Sequence, residues 1–174
     1  TPLFSADGSF AGSFGMFTDI TERKQVEEDL FSSRQMLRQV LDTIPQRVFW
    51  KDLNSVYLGC NLPLAKDAGY ANPAMLIGKD DYQTASKATA DQYRSDDRQV
   101  MESGQPRLNF EEPQIKPDGS HAWLRTSKVP LRDKEGNIIG VLGTYEDITE
   151  LRRAEESLRE SEAKFRAVTN QSFE

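Results

Sequence analysis

The residue pattern assigns this chain to the α+β class, as an antiparallel sheet covered on one face by helices. Three observations carry that assignment. Two short strand-like runs, a stretch suited to helices and three longer strand-like runs follow one another between residues 47 and 147. The later strand junctions, Pro117-Asp118-Gly119 and Asp133-Lys134-Glu135-Gly136-Asn137, hold glycine where hairpin turns need it. The chain also repeats itself. A shift of 128 residues aligns 2–46 with 130–174 at 15 identities in 45 pairs, where unrelated segments share roughly three.

The repeat sets the expected organisation. Residues 1–19 align with the last strand of the central unit and read as the closing hairpin strand of a preceding unit. Residues 20–44 follow as a connecting helix. Thr21 to Asp42 contains neither proline nor glycine, and Val26, Leu30, Ser33, Leu37, Val40 and Ile44 fall four and three apart, a heptad seam. Residues 45–149 form the complete unit. Residues 150–174 form a second connecting helix, with Leu151, Ala154, Leu158, Ser161, Phe165 and Val168 on the same rhythm. Such a stripe suits packing on its own domain or pairing with a second chain. Three or fewer heptads are marginal alone, which weights the reading toward a homodimer through Val26, Leu30, Leu37, Val40, Leu151, Leu158 and Phe165. A stretch of a longer tandem array explains this arrangement, and duplication within one domain is the alternative.

The phrase Asp-Ile-Thr-Glu stands at 19–22 and again at 147–150, where each strand becomes a helix. Asp19 and Asp147 are expected to be N-caps, with the glutamate three residues on as reciprocal partner, and Thr21 and Thr149 belong to the same junctions. Within the central unit, "RVFWKDLNSVYLGCN" reads as a hairpin around Asp52-Leu53-Asn54-Ser55. Pro63, Gly69, Pro73 and Gly78 limit residues 61–86 to brief helical turns. "SKATADQYRSDDRQVMES" is long enough for one helix, closed by Gly104. "PRLNFEEPQI", "SHAWLRTSKVPLR" and "NIIGVLGTYEDI" complete the strands.

Composition narrows the function classes. The net charge is −6 and no basic stripe is present, which argues against a nucleic-acid partner. A single cysteine excludes an internal disulfide framework. No apolar stretch approaches the roughly 18 residues of a membrane span, so no membrane insertion is expected. The N-terminus lacks the basic start of a signal peptide. A cytoplasmic location is expected.

In "VFWKDLNSVYLGCNLPLAKDAGY", "LIGKDDY" and "KPDGSHAWLRTSKVPLRDKEGNIIGVLGTYEDITE" the chain resembles a PAS domain of bacterial sensor histidine kinases and related signalling proteins, over residues 37–150. Gly136 suits a turn of positive φ, and Asp147 with Thr149 matches the family's strand-to-helix junction. The resemblance implies a five-stranded sheet ordered 2-1-5-4-3, with short helices and one longer helix on one face. It also implies flanking coiled-coil helices that dimerise, and a small-molecule pocket between sheet and helices. Its partners would be adjacent PAS units and an output domain of the same parent chain. The implied role is a non-catalytic sensory and dimerisation module. A constitutive spacer without ligand is the alternative, and a haem or flavin sensor a further one.

The residues argue against the last. His121, the only histidine, stands in "GSHAW" at a strand start, and residues 86–103 offer no proximal haem ligand. Cys60 lies at a strand end in "YLGCNLP", outside any short flavin-binding helix, and reads as a packed core thiol. The cofactor is therefore unassigned, with neither haem nor covalent flavin expected. No metal-ligand spacing and no phosphate loop is present, Gly12-Ser13-Phe14-Gly15 lying inside a strand pattern. Alternation puts Ile139, Val141, Gly143 and Tyr145 on one face of the last strand, and resemblance to flavin-binding relatives turns that face toward the ligand. Phe49 or Trp50, with Asn61, Tyr93, Phe110, Arg125 and Thr126, are the remaining pocket candidates. A small organic or carboxylate-bearing molecule near Arg125 or Tyr145 is expected.

Overall fold

The computed structural model describes residues 2–13, 16, 18–115 and 119–171, with the side chains of 115 and 167–171 outside that description. The chain divides into two compact units, Thr1–Gln39 and Val40–Glu174. In the first, β1 (Pro2–Phe4) and β2 (Phe10–Ser13) pair as an antiparallel hairpin. Helix α1 (Thr21–Thr43) then begins. Phe14 and Gly15 of the repeat lie outside the described residues.

The second unit is built on one antiparallel sheet of β3 (Arg47–Asp52), β4 (Tyr57–Cys60), β5 (Arg107–Ile115), β6 (His121–Arg132) and β7 (Ile138–Asp147). Their order is β4-β3-β7-β6-β5, which is the expected 2-1-5-4-3. Between β4 and β5 run α2 (Leu62–Asp67), two 3-10 turns (Pro73–Met75 and Asp81–Gln83) and α3 (Lys87–Ser103). Helix α4 (Thr149–Gln171) follows β7.

Local chemistry explains the elements. The β3–β4 turn is fastened by Asp52, whose Oδ1 accepts from Asn54 N at 2.8 Å and Val56 N at 2.9 Å. Asn61 and Ser86 cap α2 and α3 through their side chains. Gly104 closes α3 in the left-handed region, with φ 64°. Asp133 ties the β6–β7 turn by accepting from Glu135 N and Asn137 N, and Gly136 holds φ 89° there. Of the other expected turn, Gly119 is seen with φ 82°, while Pro117 and Asp118 lie outside the described residues. β5 pairs with β6 alone, so Pro113, which lacks an N–H, sits on a tolerant edge.

The junction phrase differs from expectation in one respect. Arg152 N donates to Ile148 O and Lys24 N to Ile20 O, so each helix counts from the isoleucine and the aspartate lies one residue outside the cap. Asp19 Oδ1 accepts from Thr21 N at 2.9 Å, and Asp147 Oδ1 from Thr149 N at 3.0 Å. These are bonds to the amide two residues on, in place of the expected longer capping pattern, because the aspartate closes a turn into the helix. α1 buries none of its residues. Val26, Leu30, Leu37, Val40, Leu151, Leu158 and Phe165 are all exposed on the chain, and the Val168 side chain lies outside the description. Among the described residues, no helix is long and apolar enough to cross a membrane.

A cavity floored by buried ion pairs

Between the sheet and the helical segment lies a cavity of about 830 Å³. Strand alternation decides which side chains reach it. β3 contributes Arg47, Phe49 and Lys51, β5 contributes Glu112 and Gln114, and β6 contributes Leu124, Thr126 and Lys128. Tyr145 enters from β7, Tyr57 from β4 and Tyr93 from α3. Gly143 makes room beside the Phe49 ring, which occupies the space a Cβ would take.

The cavity floor carries four buried charges. Lys51 Nζ donates to Asp81 Oδ1 at 2.7 Å, to Asp81 Oδ2 at 2.9 Å and to Asp97 Oδ2 at 2.9 Å. Lys128 Nζ donates to Asp97 Oδ1 at 2.6 Å and to the Tyr93 carbonyl at 3.2 Å. Asp97 thus bridges two ammonium groups. Both aspartates have no exposed surface, and the lysines 1% and 3%. Buried charges of this kind persist only with partners on every side. The Lys51 ammonium also lies 5.0 Å from the Phe49 ring centre and 4.6 Å from that of Tyr57.

The tyrosines that face the cavity keep their protons. Burial raises Tyr57 well above its usual value, with Asp81 adding to the effect. Burial pushes Tyr93 up to about 12 and raises Tyr145, the latter also through Asp67. Each therefore offers a neutral hydroxyl at physiological pH. At one side of the cavity Arg47 Nε donates to Asp67 Oδ2 at 2.7 Å. That bond, with a smaller contribution from the Asp147 charge, raises the pKa of the Arg47 guanidinium against the cost of its burial.

Of the sequence candidates, Tyr93, Thr126 and Tyr145 line the cavity together. Trp50 does not. It neighbours the inward Phe49 and so faces the other way, its indole filling the space over Gly59. Arg125 is likewise one residue from Thr126, and on the outer face it pairs with Glu111 at 3.1 Å and Glu146 at 3.2 Å. A carboxylate ligand held by Arg125 in the cavity is thereby corrected. Phe110 lies 3.8 Å beneath the Arg107 guanidinium, beside a bulge where Asn109 takes φ 53°, and is absent from the lining. Val141 shares the Tyr145 face but is wholly buried and absent from the lining. Asn61 is a structural brace. Its Oδ1 accepts from Val48 N and Leu64 N, and its Nδ2 donates to Leu41 O and Gln46 O at 2.8 Å each, which ties the end of α1 to β3 and α2.

Sequence reading missed Lys51, Lys128, Asp81, Asp97 and Tyr57. A signal for three of them exists in the alternation. Lys51 shares the parity of Phe49, Lys128 that of Leu124 and Thr126, and Asp97 follows Ala90 and Tyr93 by seven and four residues on the inward stripe of α3.

α4 is anchored to the sheet through Trp123. Its carbonyl accepts from Ile148 N at 2.8 Å, and its N–H donates to Thr149 Oγ1 at 2.9 Å. The Arg152 guanidinium stacks 3.9 Å from the Trp123 ring centre and reaches Glu111 at 3.2 Å. Glu111, Arg125, Glu146 and Arg152 therefore form one chain of ion pairs across β5, β6, β7 and α4.

Comparison with known proteins agrees with this architecture. The family profile described as the PAS fold matches residues 41–153. The methanogenesis regulatory histidine kinase FilI of Methanothrix harundinacea is 30% identical over 127 residues, covering 73% of this chain and 14% of FilI. Among solved structures, the Vibrio cholerae VqmA dimer superposes with a TM-score of 0.60 at 26% identity, covering 68% of this chain and 52% of that one. VqmA bound to DPO gives 0.58 at 26% identity, over 67% of this chain and 57% of that one. The chain spans under a fifth of the length of the curated relatives it matches, at 18% and 14% for the first two.

Proposed function

The chain belongs to the PAS family and is a sensory module, and from that premise we propose that a small ligand in the cavity alters the junction with α4. The change then passes along paired flanking helices to an output domain of the parent chain, of the histidine-kinase or a similar class. The module itself performs no catalysis in this reading. One observation carries it: the same two strands serve both ends of the relay. β6 places Thr126 and Lys128 in the cavity and holds α4 through Trp123, while β7 places Tyr145 in the cavity and ends in Asp147. VqmA, which is bound to DPO in one structure and a dimer in another, supports ligand sensing and pairing.

We read residues 1–19 as the closing strand of a preceding PAS unit, 20–44 as a signalling helix, 45–149 as the complete domain and 150–174 as the helix toward the next. The exposed stripes of α1 and α4 favour a second copy of the chain as occupant, since apolar heptad positions gain from mutual burial. Light scattering of the purified chain at tens of micromolar is expected to give the mass of a dimer. A monomer there would sink the pairing.

The relay itself is tested at Asp147. A turn-closing or capping side chain is worth about 1 kcal/mol, small beside a domain's stability. Asp147→Ala is expected to loosen the first turn of α4, raising its amide exchange about fivefold, with the sheet unchanged. Asp19→Ala is expected to loosen only the start of α1. A wholly unprotected sheet, or an α4 as protected as in the parent, would show that the junction is not the coupling element.

A further inference from the structure

The chemistry of the cavity specifies its ligand more narrowly than its shape does, and the specification rests on the reading of this cavity as the ligand site. An ammonium has three hydrogens to donate. Lys51 turns its donors to the three carboxylate oxygens already named, whereas Lys128 spends two, on Asp97 Oδ1 and the Tyr93 carbonyl. One Lys128 N–H is left. The Tyr93 hydroxyl oxygen accepts from Gln114 Nε2 at 2.6 Å, so its hydrogen is also unspent. Glu112 accepts from the Thr126 hydroxyl at 2.8 Å through Oε1. Its second oxygen has no hydrogen-bond partner among the described residues. Lys128, Tyr93 and Glu112 therefore hold two donors and one acceptor for a guest, beside the amide oxygen and second N–H of Gln114.

Charge restricts the guest further. Arg47 is paired with Asp67, Lys51 with Asp81 and Asp97, and Lys128 with Asp97, so these cations are already balanced by the three aspartates. Glu112 is an additional acid with no ion-pair partner among the described residues. An anionic guest would enter a surround with one excess negative charge. A purely cationic guest would satisfy Glu112 but bring a second positive charge toward Lys128, two residues from Thr126 on the same face of β6, and leave the free donors unmet. A fully charged group desolvated without its own counter-ion is expensive, and a neutral polar group with both bonds made is not. The rest of the lining combines aromatic and aliphatic side chains, Phe49, Tyr57, Leu64, Ala68, Leu124 and Tyr145 among them, with the polar Gln83, Thr84, Ser86 and Thr89. At about 830 Å³ the space exceeds a single ring and suits a drug-sized guest.

We propose that the ligand is a net-neutral molecule with an aromatic or apolar body and one polar head that both accepts and donates, as a carboxamide does. The head accepts from Lys128 Nζ and the Tyr93 hydroxyl, and donates to the free oxygen of Glu112. It is neither a simple carboxylate nor a simple amine.

Three probes that differ only in the head test this: benzamide, benzoate and benzylamine, titrated into the isotope-labelled chain at neutral pH and followed by amide chemical shifts. Benzamide is expected to saturate shifts in β5 and β6, with the two charged probes at least about tenfold weaker, the worth of one charge-assisted hydrogen bond. The Glu112→Gln variant supplies a donor and removes the charge, while its amide oxygen still accepts from Thr126. There the preference is expected to move toward benzoate by about tenfold. Benzoate or benzylamine binding the parent as tightly as benzamide overturns the ligand class and leaves the cavity as a site. An unchanged preference in folded Glu112→Gln removes Glu112 from the head contact and overturns the proposed geometry. No saturable shift with any probe up to its solubility limit overturns the reading of the cavity as a ligand site, and this inference with it.

Discussion

Asp97→Ala is expected to cost about 3–5 kcal/mol, a large part of a domain's total stability. Asp97 is the one carboxylate shared by both buried lysines, bonded to Lys51 at 2.9 Å and Lys128 at 2.6 Å. Without it Lys51 keeps Asp81, but Lys128 is left with a single carbonyl in a site it cannot leave. The cost is that of an uncompensated buried charge, which exceeds the net worth of the pair. The same physics predicts a rescue. In Asp97→Leu with Lys128→Met, both charges disappear together and apolar volume replaces them, so more than half of the loss should return. Urea denaturation followed by the fluorescence of Trp50 and Trp123 measures both. A single variant within about 1 kcal/mol of the parent would mean that water reaches this floor and that the charges are not held as described.

How much of this was legible in the sequence depended on whether the signal was local. The β3–β4 turn and the end of α3 at Gly104 follow from residues adjacent to one another and agree with the structure, as does the place where each flanking helix starts, although the isoleucine rather than the aspartate stands at its cap. The sheet order came through family resemblance, since no local pattern states which strand lies beside which. The cavity lining was harder because each strand's face had to be chosen, and a choice wrong by one residue turns every side chain over. Phe49 or Trp50 was an open question of this kind, and Arg125 was placed inside because a cation suits a ligand. The structure gives that inward role to Lys128, three residues on and of the opposite parity. Lysines at inward positions of two strands escaped notice because polar residues are ordinarily read as solvent-facing. Only the pairing with Asp97, on a helix 31 residues away from Lys128, makes them permissible. Trp123 and Arg152 escaped for the same reason: their stacking joins a strand and a helix that sequence alone does not bring together.

Gly140→Ala is expected to cost about 3 kcal/mol, at the upper end for a small-to-large change in a packed interior. The repeat holds glycine at both 12 and 140, and for Gly140 the sequence supplies no reason why. The structure does. A Cβ on Gly140 would stand 1.9 Å from the backbone carbonyl oxygen of Lys51, where β7 runs beside β3. A flexible side chain could swing aside, but a paired strand can move only as a whole. Moving β3 there drags Lys51 from its aspartates, so the local clash becomes a loss at the buried ion pairs. Gly136 sets the comparison. It also repeats, as Gly8, yet its φ of 89° is the whole requirement and a Cβ there would meet nothing within 4 Å. Gly136→Ala should therefore cost only about 1 kcal/mol of backbone strain. Denaturation midpoints of the two variants separate the two uses of glycine in one hairpin. If Gly140→Ala proved no costlier than Gly136→Ala, the close approach of β7 to β3 would be too loose to transmit a change from the cavity floor to the strand that ends at Asp147.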